Sequence, residues 1–87
     1  MTEDQIEKKL SFLNPISLNI NDESALHKGH AGNTGGSHFN IQIISNEFLG
    51  KSRMERHRII YKALEEYFPN KIHALSIKAL TETESKS

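Results

Sequence analysis

LHKGHAGNTGGSHF, residues 26–39, holds three of the five histidines (His27, His30, His38) and four of the five glycines (Gly29, Gly32, Gly35, Gly36). Regularly patterned sequence flanks it. Before it, Ile16, Leu18 and Ile20 alternate with Ser17, Asn19 and Asn21; after it, Phe39, Ile41 and Ile43 alternate with His38, Asn40 and Gln42. Period-two alternation marks half-buried strands with one apolar face. Adjacent strands of this kind pair antiparallel. A two-residue turn would join them, so the long connection points to function or mobility.

Upstream, Thr2 and Gln5 have capping-box spacing, and Ile6, Leu10 and Leu13 form one helical stripe. Pro15 ends the pattern and biases Asn14 away from helix, so a helix is expected over about residues 3–13. Downstream, residues 45–51 connect to a second capping box, Ser52 to Glu55, with a short helical turn expected near residues 48–51. Met54, His57, Ile60, Tyr61, Leu64, Tyr67 and Phe68 then recur every three or four positions. That predicts the main core helix over residues 53–68, stopped by Pro69-Asn70. Residues 71–79 predict a third strand, with Leu75, Ile77 and Ala79 in phase and His73 sharing that phase toward the helices. Residues 81–87 read as a flexible polar tail after a single domain over residues 1–80.

The order is α–β–β–α–β. A helix joins the second and third strands, so these are expected to be parallel with a right-handed crossover. The fold class is α+β: a three-stranded mixed sheet covered on one face by helices.

Composition narrows function. Eighty-seven residues make one domain with one modest core. Eleven basic and 11 acidic residues balance, so the chain lacks a strongly basic footprint for nucleic acid or anionic membrane. There is no apolar run of spanning length and no signal-peptide pattern, so a soluble cytoplasmic protein without membrane contact is expected. Cysteine is absent, which removes disulfides, thiolate nucleophiles and all-cysteine metal sites. A metal held by this chain alone would need histidine and carboxylate. An iron–sulfur cluster would need thiolates from another molecule.

His27 and His30, three apart in a glycine-rich loop, read either as solvated polarity or as neutral imidazole ligands for zinc, copper or iron. His73 reads either as a hydrogen-bonded histidine at a strand end or as a ligand. His38 falls on the uncovered sheet face in a structural or surface role, and His57 on the helix's apolar stripe. Lys51, Arg53, Arg56 and Arg58 cluster at the start of the main helix. They read as a solvated face, with Glu55 and Arg58 placed to pair, or as an anion or nucleic-acid contact at a helix N-terminus. Gly50-Lys51-Ser52 is not a P-loop, because position 45 is serine where that motif needs glycine. Gly29-His30-Ala31-Gly32 matches a KH-type GxxG but lies between strands. No Ser–His–Asp arrangement or buried carboxylate pair is supported, so the chain is not expected to be an enzyme.

HKGHAGNTGGSHF, Ser45, Phe48-Leu49-Gly50-Lys51-Ser52, Arg56-His57-Arg58 with Tyr61, and Ile72-His73-Ala74-Leu75 together resemble the BolA family, over about residues 6–79. The resemblance implies a class II KH-like αββααβ fold. It implies a monothiol glutaredoxin as partner, sharing a bridging 2Fe–2S cluster to which glutaredoxin and glutathione bring thiolates. Carried onto this chain, it makes His73 the C-terminal ligand and His27 the loop ligand, by the Glu23-Ser24-x-x-His27 context. His30 is a neighbour that could substitute. The expected role is cluster trafficking or iron and redox sensing, including stress response, in a monomer or weak dimer when alone. A KH-like DNA-binding transcriptional regulator using Lys51, Arg53, Arg56 and Arg58 is the alternative. An autonomous metal-binding module of His27, His30 and His73 is a third possibility.

Overall fold

The computed structural model describes residues 3–23, 37–68 and 72–86, apart from the side chains of Ser37 and His73. Helix α1 (Glu3–Leu10) places Glu3 and Asp4 in its first turn and Lys8 and Lys9 in its last, each sign opposing the adjacent end of the helix dipole. It tightens into a 3-10 turn at Ser11–Leu13, where a continuous helix was expected. Asn14 closes that turn in the left-handed region (φ 46°), which asparagine tolerates. Its N–H donates to the Ser11 carbonyl. The predicted cap residue Thr2 lies outside the described residues.

Strand β1 (Ser17–Asp22) runs antiparallel to β2 (Ser37–Ile44), and β2 runs parallel to β3 (Ile72–Leu80). The order is β1-β2-β3. Helix α2 (Arg53–Ala63) lies between β2 and β3 in the chain. The short middle helix of the αββααβ order is a 3-10 turn at Asn46–Phe48. The fold is therefore the expected α+β mixed sheet.

Ile6 and Leu10 of α1 and Ile60 and Leu64 of the α2 segment join Phe39, Ile41 and Ile43 of β2 in one buried cluster. Each such side chain contributes roughly 1.5–3 kcal/mol by leaving water. Both helices thus cover one face of the sheet. The Ser45 hydroxyl, fully buried behind β2, donates to the Leu13 carbonyl and ties the α1 exit to the sheet.

Several boundaries differ from the sequence reading. Ile16 is 54% exposed and precedes β1, although its N–H still donates to the Ile44 carbonyl. α2 ends at Ala63 and continues as a 3-10 turn at Glu65–Tyr67, short of the expected residue 68. Met54 and Tyr61, assigned to the core stripe, are 64% and 41% exposed. The buried row is Arg56, Ile60 and Leu64, spaced four apart, with Ile59 and Ala63 beside it. Arginine at the first position of that row disguised it as a polar face.

The segment read as a flexible tail is built differently. Thr81 and Glu84 form a second capping box among the described residues, opening a short helix α3 (Glu82–Ser85). The polar composition that suggested a tail is the chemistry of a capped helix end.

Candidate functional site

β1 ends, and β2 and β3 begin, at one edge of the molecule. Asp22 is paired with Phe39 in the β1–β2 ladder, and Ser37 with Ile72 in the β2–β3 ladder. The Glu23 N–H donates to the His38 carbonyl at 2.6 Å, holding the chain to β2 as it leaves the sheet. The chain therefore departs at Glu23 and returns at Ser37, one strand spacing from the start of β3.

At that point the β2–β3 register breaks. Ser37 pairs with Ile72, but the next residue, His38, pairs with Ala74. The backbone of His73 is the extra residue of this irregularity, a device often found where a strand must re-aim a side chain. The break interrupts the alternation assumed from sequence. Counting back from Ala79 through Ile77 and Leu75 puts His73 on the helix side, yet Ile72 is the fully buried residue there. The side chain of His73, and all of His27 and His30, lie outside the described residues.

His38 is half-buried, in the cross-strand row that continues to Ala74. His57 is half-buried on α2 beside the core row. Among the described residues, no three histidines or carboxylates are grouped to hold a metal ion. A donor set drawn from His27, His30 and His73 is all imidazole, in a chain with no thiol. Such a set fits a cluster whose sulfur ligands come from another molecule, and does not fit a self-contained one.

The basic cluster is resolved into two kinds of residue. Arg56 is only 8% exposed and all three of its guanidinium nitrogens donate hydrogen bonds. Nε donates to the Lys51 carbonyl at 3.0 Å, one terminal nitrogen to the Ala79 carbonyl at 3.0 Å and to Glu84 Oε1 at 2.6 Å, and the other to Glu84 Oε2 at 3.1 Å. Sequence reasoning grouped it with surface cations; the structure makes it a fastener joining α2, β3 and α3. The Arg56 guanidinium, then the Thr81 N–H, pull the Glu84 carboxyl down to a pKa of about 2. Lys51, Arg53 and Arg58 are exposed around the same helix start, with Arg58 resting on Met54 Sδ at 3.4 Å. Ser52 caps α2, and its N–H holds the Glu55 carboxyl below its ordinary range. Glu84 was missed because one glutamate in a polar terminus carries no periodic signal; the Thr81-x-x-Glu84 spacing could have found it.

No helix among the described residues is long and apolar enough to cross a membrane. Comparison with known proteins supports the architecture and extends it. Residues 10–84 match the family model described as BolA-like protein. The chain is 43% identical over 84 residues to SufE-like protein 1, chloroplastic/mitochondrial, of Arabidopsis thaliana, covering 90% of this chain and 23% of that protein. It is 37% identical over 82 residues to the DNA-binding transcriptional regulator BolA of Escherichia coli K12, covering 93% of this chain and 76% of that one. It spans 53% of the length of the chloroplastic protein BOLA1 of Arabidopsis thaliana. The solved structure of BolA1 from Arabidopsis thaliana superposes with a TM-score of 0.82 at 38% identity, over 97% of this chain and 95% of that one. With the αββααβ order, the register and these matches in agreement, the chain belongs to the BolA family.

Proposed function

We propose that this chain is a non-enzymatic adaptor that binds a monothiol glutaredoxin and completes a bridging 2Fe–2S cluster through imidazoles. His73 is one ligand and His27 the other, with His30 as the alternative loop ligand. Glutaredoxin and glutathione supply the thiolates that this cysteine-free chain lacks. The observation that carries the reading is the register break at His73, beside both ends of the histidine-bearing connection. His27 follows Glu23 by four residues, a reach of at most about 14 Å. Two strand spacings are about 10 Å, so a ring at position 27 and one at 73 can meet at one iron.

Bound, the cluster supplies one-electron chemistry and a labile iron centre. Imidazole in place of thiolate raises its potential, which suits transfer or sensing. The chain's own residues bind and orient: the β2–β3 ladder on either side of position 73 sets the backbone there. The arrangement requires a compartment that keeps thiols reduced, as the cytoplasm does.

Anaerobic reconstitution of the chain with a monothiol glutaredoxin, glutathione, iron and sulfide tests it. A heterodimer with a visible spectrum distinct from that of glutaredoxin alone is expected, and His73→Ala should abolish that difference. An unchanged spectrum in His73→Ala rejects the ligand assignment. Equilibrium dialysis of the isolated chain against zinc separates an autonomous metal module, which would bind tightly without a partner.

The name of the Escherichia coli relative favours a second reading, a DNA-binding regulator. Lys51, Arg53 and Arg58 are available to phosphates, whereas Arg56 is committed to Glu84. Three phosphate contacts give a slope of about −3 in log affinity against log salt concentration. A flat salt profile would remove this reading.

A further inference from the structure

Among the described residues, α1 and α2 leave the opposite sheet face open, and one end of it forms a cleft. Asn19, Gln42 and Lys78 make one cross-strand row spanning all three strands. Beside it, half-buried Ile44 and Leu80 form an apolar floor. Ser85, on α3, closes one side, leaving a volume of about 140 Å³. None of the Asn19, Gln42 and Lys78 side chains has a hydrogen-bond or ion-pair partner among the described residues. These three exposed groups present two amides and one ammonium, and no carboxylate lines the cleft.

We propose that this cleft binds a small monocarboxylate with a short hydrocarbon chain. The carboxylate sits on the Lys78 ammonium and the amide N–H groups of Asn19 and Gln42, and the chain lies over Ile44 and Leu80. One cation with two neutral donors matches a single negative charge; a phosphate dianion would leave charge uncompensated. The apolar floor selects against inorganic anions, which gain nothing from it. The volume is below the roughly 300–1,000 Å³ of pockets for larger ligands. The site lies apart from the His73 end: Gln42 and Lys78 are four residues along β2 and β3 from His38 and Ala74, about 13 Å. Its wall depends on the Arg56–Glu84 contact that seats α3.

Amide chemical shifts of the full chain, followed during titration with sodium butyrate at constant ionic strength, test the proposal. Saturable shifts centred on Asn19, Gln42, Lys78 and Ser85 are expected. Butyramide, which lacks the charge, should bind about tenfold more weakly, and Lys78→Met should weaken butyrate by about the same factor. Lys78 is exposed, and the unperturbed spectrum of Lys78→Met reports directly on its fold. Shifts that fail to saturate, that sodium chloride reproduces, or that Lys78→Met leaves unaltered overturn the site. Tighter binding of methyl phosphate than of butyrate overturns the ligand class.

Discussion

The Arg56 guanidinium serves three elements at once, donating to the Lys51 carbonyl before α2, to the Ala79 carbonyl on β3 and to Glu84 on α3. Arg56→Met keeps the aliphatic volume but leaves two main-chain carbonyls without a charged donor. A loss of about 2 kcal/mol is expected, read as a lower urea midpoint with an unchanged slope. Arg56→Lys should recover only part of it, since an ammonium cannot span the two Glu84 oxygens and two carbonyls. The Glu84 carboxyl, lowered from 4.5 to about 2 by Arg56 and the Thr81 N–H, gives a pH signature of its own. A depressed carboxylate stabilises fully above its unfolded pKa and loses that contribution as pH falls through the folded one. The stability difference between the parent chain and Glu84→Gln should therefore be constant above about pH 5. It should shrink steadily between pH 4.5 and about 2. A difference independent of pH over that window would show that the carboxylate's charge is not what holds α3. In the sequence, Arg56 sits among Arg53, Glu55 and Arg58, whose side chains are all exposed. Its burial arises through contacts distant in the chain, with Ala79 on β3, 23 residues away, and with Glu84 on α3, 28 residues away.

At the scale of elements, the Ser52–Glu55 capping box, three alternating strands and a stopped helix were readable, and β1, β2, β3 and α2 stand where those patterns put them, whereas the Thr81–Glu84 box was missed. Their ends were not readable. The 3-10 turns at Ser11–Leu13 and Glu65–Tyr67 keep the apolar spacing of an α-helix while changing its hydrogen bonding. The register break at His73 leaves no composition signal either, because it is set by how β2 and β3 meet. Between β2 and α2, Gly50 has φ +77° with nothing within 4 Å of an added Cβ. Gly50→Ala should thus cost about 1 kcal/mol through backbone conformation alone, with no steric penalty. Thermal unfolding of Gly50→Ala checks this. A neutral substitution would mean that the turn relaxes to a negative φ.

For the whole molecule, the layers separate three tasks. Helices seal one face around Phe39, Ile41 and Ile43. The opposite face carries the amide row. Glu23, Ser37 and the start of β3 share one end, so both attachment points of the connection that carries His27 and His30 in sequence lie beside the backbone of His73. The fold and the family were legible because both rest on local patterns and exact residue strings. The proposed ligand chemistry rests on the resemblance, since two histidines in a loop and one on a strand have no spacing in common. The claim on which the account stands is that imidazole nitrogen from this chain bonds directly to iron in a cluster shared with a glutaredoxin. Pulsed electron paramagnetic resonance of the reduced heterodimer, with 15N-histidine in this chain only, reads that bond. Strong 15N hyperfine coupling from two imidazole nitrogens is expected, reduced to one in His73→Ala; an assembled cluster with no 15N coupling would contradict direct ligation.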